Sequence, residues 1–495
     1  MTTVALTARD EISVSTDRRS NLLQPTLILV GLIVAVLSSL GAPLIPSIAA
    51  DSHVSLSTAD WLLTITLLTG ALSTPVLGKL SDGPHQKRVI TFALTVVLAG
   101  SVLAALTSTF VLLVVARGLQ GLGLGLLPVT MAIARRHLPG IQAAKAIALL
   151  SVTAAVGVGL GYPVTGLLAE VSDYHLAFWF GAFVVGLALV ASLIVLPAKS
   201  RVASKPFDVF GAAMLSVAVT ALIVMLSEAS DWGWASLPTL GLLAVAVVVG
   251  AIWARYELHH RHPLVELRQA KHRMVLTADL AGLLMSMAMY LYLPIIVEFI
   301  QVPKSEGYGF GVSVVIAGCS LIPLSIGTYL SSRLAVLYER RFGRRSVIPF
   351  GAMLFALSIV FFALEHGSLW MAFVSTGISG VGVGFTFAAM PGYIVRAVPA
   401  HETGSAMGFY QILRSIGLAM GSAVSAVVLA AYTPAGSLLP SVGGFRSALL
   451  LGVLLCLITA VLSWVLPGNA PAEMPAELME EAGELEGSGL MMAES

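Results

Sequence analysis

Apolar runs long enough to cross a bilayer recur along this chain from one end to the other, and most of the links between them are short. A helix of about 20 apolar residues spans the hydrocarbon layer. Fourteen such runs are read, at residues 26–49, 58–80, 88–108, 109–134, 142–169, 174–196, 207–228, 237–257, 274–300, 312–337, 346–365, 368–395, 402–431 and 443–466. Backbone in lipid must satisfy its own N–H and C=O groups, so each run is predicted to be a helix. Composition leads to the same class. Of 495 residues, 57% are hydrophobic and 11% charged, where a soluble domain carries about 25% charged residues. The net charge of +1 implies no nucleic-acid partner. Cys319 and Cys456 lie far apart in apolar runs and read as small core residues, without a disulfide framework or a metal set. The first run is too long for a cleaved signal peptide and reads as an uncleaved span.

The basic residues orient the spans. With the N-terminus taken as cytoplasmic, 23 of the 27 Lys and Arg fall on cytoplasmic links or the N-terminal tail. Only Lys304 and Arg446 lie outside, and Arg117 and Arg414 lie within spans. A missed or invented helix would scramble this alternation, so the bias supports both the count and the topology. Fourteen is even, which puts the C-terminus in the cytoplasm as well. The run His259, His260, Arg261, His262 reads as part of this basic flank in preference to a metal site. Trp232 and Trp234 read as interfacial anchors in the turn between the seventh and eighth spans.

Between the second and third spans lies Gly78–Ile90, GKLSDGPHQKRVI, with Gly78, Asp82, Lys87 and Arg88 packed into a short hairpin. Charges and turn backbone cannot be left in lipid, so the hairpin must sit at the membrane surface. It resembles the signature loop of the major facilitator superfamily, G-x-L-a-D-r-x-G-r-k-x-x-l. Gly78, Leu80, Asp82, Lys87 and Ile90 fall on that pattern, while Gly83 replaces its first arginine and His85 its second glycine. After the tenth span, YERRFGRRSVI partly repeats the loop, with Gly343 lying 258 positions beyond His85. The division expected is a cytoplasmic tail at 1–25, a six-helix bundle at 26–197, a linker with two extra spans at 198–273, a second six-helix bundle at 274–466, and a disordered acidic cytoplasmic tail at 467–495. Duplicated bundles with a substrate site at their interface are a recurring transporter plan.

Inside the spans, Arg117 and Gln120 are three apart and share a helix face. A mid-span arginine is costly in lipid and should face the bundle interior, the plainer alternative being a snorkelling side chain near a helix end. Arg117 and Gly121 resemble the R-x-x-x-G motif of the superfamily's fourth helix, whose arginine is associated with proton transfer. In the fifth span Gly157, Gly161, Pro163 and Gly166 resemble the antiporter motif associated with exporters, although Tyr162 and Leu167 replace two of its glycines. The alternative is ordinary tight packing. Gln411 and Arg414 in the thirteenth span mirror Gln120 and Arg117 in reverse order. The stretch from Gly384 to Gly417, and the phrase HPLVELR from His262 to Arg268, are similar to fourteen-helix bacterial drug:proton antiporters. Many of those carry an aspartate in the first helix, where this chain has Ser38 and Ser39. The carboxylate candidates are therefore Asp279 first, then Glu298 and Asp60, with Asp60 read equally as a helix N-cap.

The fold class expected is an all-α integral membrane protein, a major-facilitator-type bundle of two six-helix halves plus two central helices. The resemblance implies a secondary active transporter, a proton-coupled exporter of amphipathic small molecules working by alternating access. It would lie in the plasma (inner) membrane with both termini cytoplasmic. Its partners would be a small-molecule substrate, protons and the bilayer. A proton gradient would supply the energy, with no cofactor; no nucleotide-binding loop appears, and no ATPase partner is implied. The alternatives are a uniporter or importer of a small metabolite and, from another class, a membrane-embedded transferase. No acid cluster for a metal-bound phosphate supports the last, so no enzyme is expected.

Overall fold

The computed structural model describes residues 22–33, 36–37, 44–171, 173–197, 206–269, 272–306, 308–364, 367–434 and 440–466. The acidic segment 467–495 and nearly all of the 1–25 tail lie outside the described residues, as do Ser38 and Ser39. Within them every regular element is helical, with no strand. In chain order they are α1 (Leu22–Ile33) and α2 (Ile45–Asp51), α3 (Leu56–Ser81), α4 (Gln86–Leu106), α5 (Phe110–His137), α6 (Gly140–Val171) and α7 (Tyr174–Val195). There follow α8 (Val209–Trp232), α9 (Leu237–His259), α10 (Arg273–Gln301), α11 (Val315–Phe342), α12 (Val347–Leu364), α13 (Leu369–Ala397), α14 (Thr403–Ala431) and α15 (Val442–Val465). Among the described residues, 12 of these are long and apolar enough to cross a membrane: α3, α4, α5 and α7–α15. The helix α6 runs for 32 residues, and α1 is a shorter apolar helix.

Polar side chains set where several helices begin. Ser55 caps α3 by accepting from the Thr58 N–H, Asp208 caps α8 by accepting from Gly211, and Ser236 caps α9 by accepting from Thr239. Each satisfies a backbone donor that the first turn leaves unpaired. The cap of α3 is thus Ser55 and not Asp60, which lies inside the helix beyond its start; the Asp60 side chain lies outside what is described. The Trp-rich turn falls between α8 and α9, where Gly233 has φ 87°.

The bundle wears its large apolar side chains on the outside. Phe183 is 70% exposed, Leu364 70% and Leu237 86%. Water would not tolerate so continuous an apolar surface, which lipid solvates. Inside, Tyr292, Tyr393, Phe355 and Phe387 fill the core, and serines and threonines return their hydroxyls to carbonyls on their own helices or on a neighbour.

The helices form two groups. In the first, α4 packs on α5 and α7, and α3 packs on α5. In the second, α13 packs on α11 and α12, α14 on α10, and α15 on α12 and α10. The groups meet along two seams, α3 against α14 and α6 against α11 and α13. The pair α8 and α9 leans on α3 and α14 through a separate apolar cluster that includes Leu68, Leu215, Trp253 and Ile412.

Candidate functional site

The α3–α14 seam is held closed by glycines. A Cβ on Gly78 would sit 2.5 Å from the Gly404 carbonyl oxygen, and one on Gly404 would sit 2.3 Å from the Gly78 oxygen. Only hydrogen at both positions lets these helices touch backbone to backbone.

That approach delivers Asp82 to the start of α14. Glu402, the residue before α14, makes no capping bond with its side chain, so the first-turn donors need another acceptor. Asp82, from the other group of helices, supplies it. Its Oδ1 accepts from the Gly404 N–H at 2.7 Å, and its Oδ2 accepts from the Ser405 N–H at 2.9 Å and the Ser405 hydroxyl at 2.8 Å. A negative group against the positive end of a helix is the favourable arrangement. Asp82 therefore acts as the N-cap of a helix that begins more than 300 residues later.

Two arginines at the end of α5 reinforce the junction. Arg135 donates to Thr403 Oγ1 at 2.6 Å and to the Val398 carbonyl at 2.8 Å, tying the end of α13 to the start of α14. Arg136 donates to the carbonyls of Asp82 at 3.0 Å and Gly83 at 3.2 Å, fixing the hairpin. Neither arginine was singled out by the motif. Of the hairpin's other charges, Lys87 donates to the Leu193 carbonyl at 2.6 Å, at the end of α7, and Arg88 is exposed. Structurally, Asp82 carries the link between the groups and Lys87 a link within one of them.

Burial pushes the Asp82 carboxyl up to about 6; the bonds from Ser405 and Gly404 and the nearby Lys79 charge pull down but do not outweigh it. A solvated Asp82 would return to the ordinary 3.8. The docked arrangement is thus favoured fully below 3.8 and loses that advantage as pH rises through about 6. Hydrogen exchange at the Gly404 and Ser405 amides should accordingly speed up from pH 5 to pH 7.5, beyond the intrinsic base catalysis of exchange, and Asp82→Asn should remove the excess. An excess that survives in Asp82→Asn would mean that another group sets the dependence.

Deeper in, the two arginine–glutamine pairs are real contacts. Arg117 is buried; it donates to Gln120 Oε1 at 2.8 Å, to the Leu62 carbonyl at 3.4 Å and to the Leu37 carbonyl at 3.5 Å. Gln120 in turn donates to Ser101 Oγ at 3.2 Å. A Cβ on Gly121 would lie 2.5 Å from the Thr66 carbonyl oxygen, so this glycine lets α5 bed against α3. In the second group, Arg414 donates to Gln411 Oε1 at 3.3 Å and stacks 4.2 Å above the Phe387 ring, a cation–π contact. In the fifth-span motif, Pro163 lies inside α6, Gly157 is buried and Gly161 half-buried, while the surroundings of Gly166 lie outside what is described. One residue before Gly157, the Val156 carbonyl accepts from Ser325 of α11 at 2.6 Å, a polar stitch across the second seam.

The carboxylate candidates separate clearly. Asp279 is buried in the second turn of α10, and among the described residues its Oδ1 has no hydrogen-bond partner. It faces a small cleft shared with Gln269, Ser405 and Phe409. Ser405 also holds Asp82, so the two aspartates converge on the first turns of α14. Glu298 is exposed near the end of α10. Among the described residues Asp279 makes no ion pair with Arg117, which turns to Gln120 and to the Leu62 and Leu37 carbonyls. The sequence drew no attention to Asp208 and Glu257, buried at the ends of α8 and α9. Asp208 accepts from Tyr256, and Glu257 from Trp253 and the Leu264 N–H.

Two groups of membrane helices meeting along a seam that a polar clasp joins form a plan that recurs in membrane transporters. The Major Facilitator Superfamily profile matches residues 27–340 and again 278–489, and the chain belongs to that family. A tetracenomycin C resistance and export protein of Streptomyces glaucescens is 29% identical over 82% of this chain and 76% of its own length. The multidrug resistance protein Stp of Mycobacterium tuberculosis is 26% identical over 79% of this chain and 72% of its own. Among solved structures, the human organic anion transporter MFSD10 shares the fold, with a TM-score of 0.64 at 15% identity over 90% of this chain and 99% of that one.

Proposed function

We propose that this chain is a proton-coupled exporter of amphipathic small molecules, working by alternating access in the plasma (inner) membrane with both termini cytoplasmic. The reading counts fourteen spans, adding α6 and the span that begins with α1 to the twelve described above. It divides them into six-helix bundles at 26–197 and 274–466, with α8 and α9 as the extra pair between. The export proteins among its relatives and the arginine bias of one face support direction and orientation. On that orientation the Asp82 clasp closes the cytoplasmic end, and the conformation described is one stage of the cycle.

The observation that carries the coupling is the convergence of Asp82 and Asp279 on the start of α14. A proton gained or lost at Asp279 changes the charge beside the helix that Asp82 must release for the halves to part. Glu298, exposed, and Asp60 are secondary candidates. The buried Arg117 and Arg414, each held by its glutamine, serve as fixed positive charges of the two halves. Gly157, Gly161, Pro163 and Gly166 are read as the export-associated motif of α6, with the proline as its point of bending.

The test is Asp279→Asn in proteoliposomes. Substrate binding and exchange should persist, and accumulation driven by a proton gradient should be lost. Uphill transport by Asp279→Asn with an unchanged pH profile would remove Asp279 from the mechanism and favour a uniporter.

A further inference from the structure

Where the start of α6 meets the ends of α11 and α13 there is a cavity of about 490 Å³. Its walls are apolar, with Ala148, Val336 and Ala389 among them, but Lys145, Arg340, Arg344 and Arg396 also line it. Their single acidic companion is Glu339. Its Oε1 is taken up by Arg344 at 2.9 Å and Arg396 at 3.4 Å. Among the described residues Lys145 and Arg340 have no acidic partner. Apolar walls with two uncompensated cations suit a ligand that carries several negative charges on an apolar frame.

We propose that the occupant is the chain's own segment 467–495. It holds seven glutamates and no lysine or arginine, with Met474, Leu478 and Leu485 interleaved among the acids. Its point of departure is at the rim. Arg345, next to Arg344, donates to the Trp464 carbonyl at 2.5 Å and lies 5.3 Å over the Trp464 ring, so α15 ends against this basic loop. From Leu466 to Glu473 is seven residues, which reach up to roughly 23 Å when extended. A segment tethered so close acts at an effective concentration of about millimolar, so weak individual ion pairs suffice. The cavity draws its walls from both groups of helices, so its occupant touches both. The proposal requires neither proton coupling nor a direction of transport.

The experiment uses the full chain in phosphatidylcholine nanodiscs, with Cys319→Ser to remove the less buried native thiol. Ala144→Cys places a thiol in the cavity wall, and Leu478→Cys places one in the acidic segment. Mild oxidation should join them, and the rate should fall several-fold in high salt. Lys145→Gln with Arg340→Gln should lower it likewise. So should Glu477→Gln, Glu480→Gln, Glu481→Gln and Glu484→Gln together, with insertion and thermal stability measured alongside and expected to be unchanged. A rate indifferent to salt and to both sets of neutral variants would overturn the proposal. So would a cavity whose Lys145 and Arg340 govern binding of added phosphatidylglycerol while the glutamate variants change nothing, because the occupant would then be a lipid headgroup.

Discussion

Asp82→Ala is expected to cut transport at least about tenfold while leaving the protein inserted and folded. Three hydrogen bonds are lost at once, each worth about 0.5–1.5 kcal/mol net. The first turn of α14 is left with two unpaired N–H groups at a buried seam. A transporter's alternating states lie within a few kcal/mol of one another, so a loss of that size inverts their populations. Asp82→Asn should be nearly as damaging. An amide keeps one acceptor oxygen and turns an NH2 toward donors that were bonded to the second. Transport in membrane vesicles, normalised to the inserted protein, decides the matter, and a wild-type rate in either variant would refute the role given to the clasp.

A larger effect still is expected of Gly404→Val. Its Cβ would lie 2.3 Å from the Gly78 oxygen, 2.3 Å from Ser81 Oγ and 2.8 Å from Asp82 Oδ1, and two of the three are held by their own helix. Nothing there can yield except the seam. Where Asp82→Ala removes an attraction, Gly404→Val installs a wedge, and transport should fall below detection. Spin labels on α3 and α14 should then report a wider separation at the clasp end than in the wild type. Gly241→Val in α9 meets nothing within 4 Å and serves as the control that should behave normally. An unchanged label distance in Gly404→Val would show that the seam accommodates a side chain and that the glycine pair is incidental.

The class of fold was legible because bilayer thickness writes itself into the length of each apolar run. Helices α8, α9 and α15 begin and end within a few residues of the boundaries expected from hydropathy alone. Asp82 was visible as an acid in a short hairpin between spans, and Arg117 with Gln120 as a polar face in an apolar one. Their partners were not visible. The contact between Asp82 and Gly404 joins chain segments 322 positions apart, and no local pattern encodes it. A trace existed at the receiving end: neither His401 nor Glu402 is a good N-cap, so α14 starts without one of its own. Arg135 and Arg136 counted only toward orientation, because a basic pair at a helix end serves that purpose whether or not it also grips a carbonyl. Arg117 and Asp279, both visible as charges within apolar runs, do not meet: Arg117 turns to Gln120 and to the Leu62 and Leu37 carbonyls.

The seating of α8 and α9 has a mechanical meaning. Helix α8, with α9 packed on it, leans at once on α3 and α14, the two helices whose junction parts in the cycle proposed above. A body resting on two moving parts cannot stay fixed to both, so one of its faces has to slip. Asp208, Tyr256, Trp253 and Glu257 spend their hydrogen bonds on one another and on Gly211 and Leu264. What remains facing the seam is hydrocarbon, such as Leu215 and Val219, and the Trp253 ring tilted 30° over Phe409. Greasy surfaces shear without breaking directional bonds. In the cycle proposed above, the extra pair would serve as a bearing, sliding against the joint without adding directional bonds to its stroke.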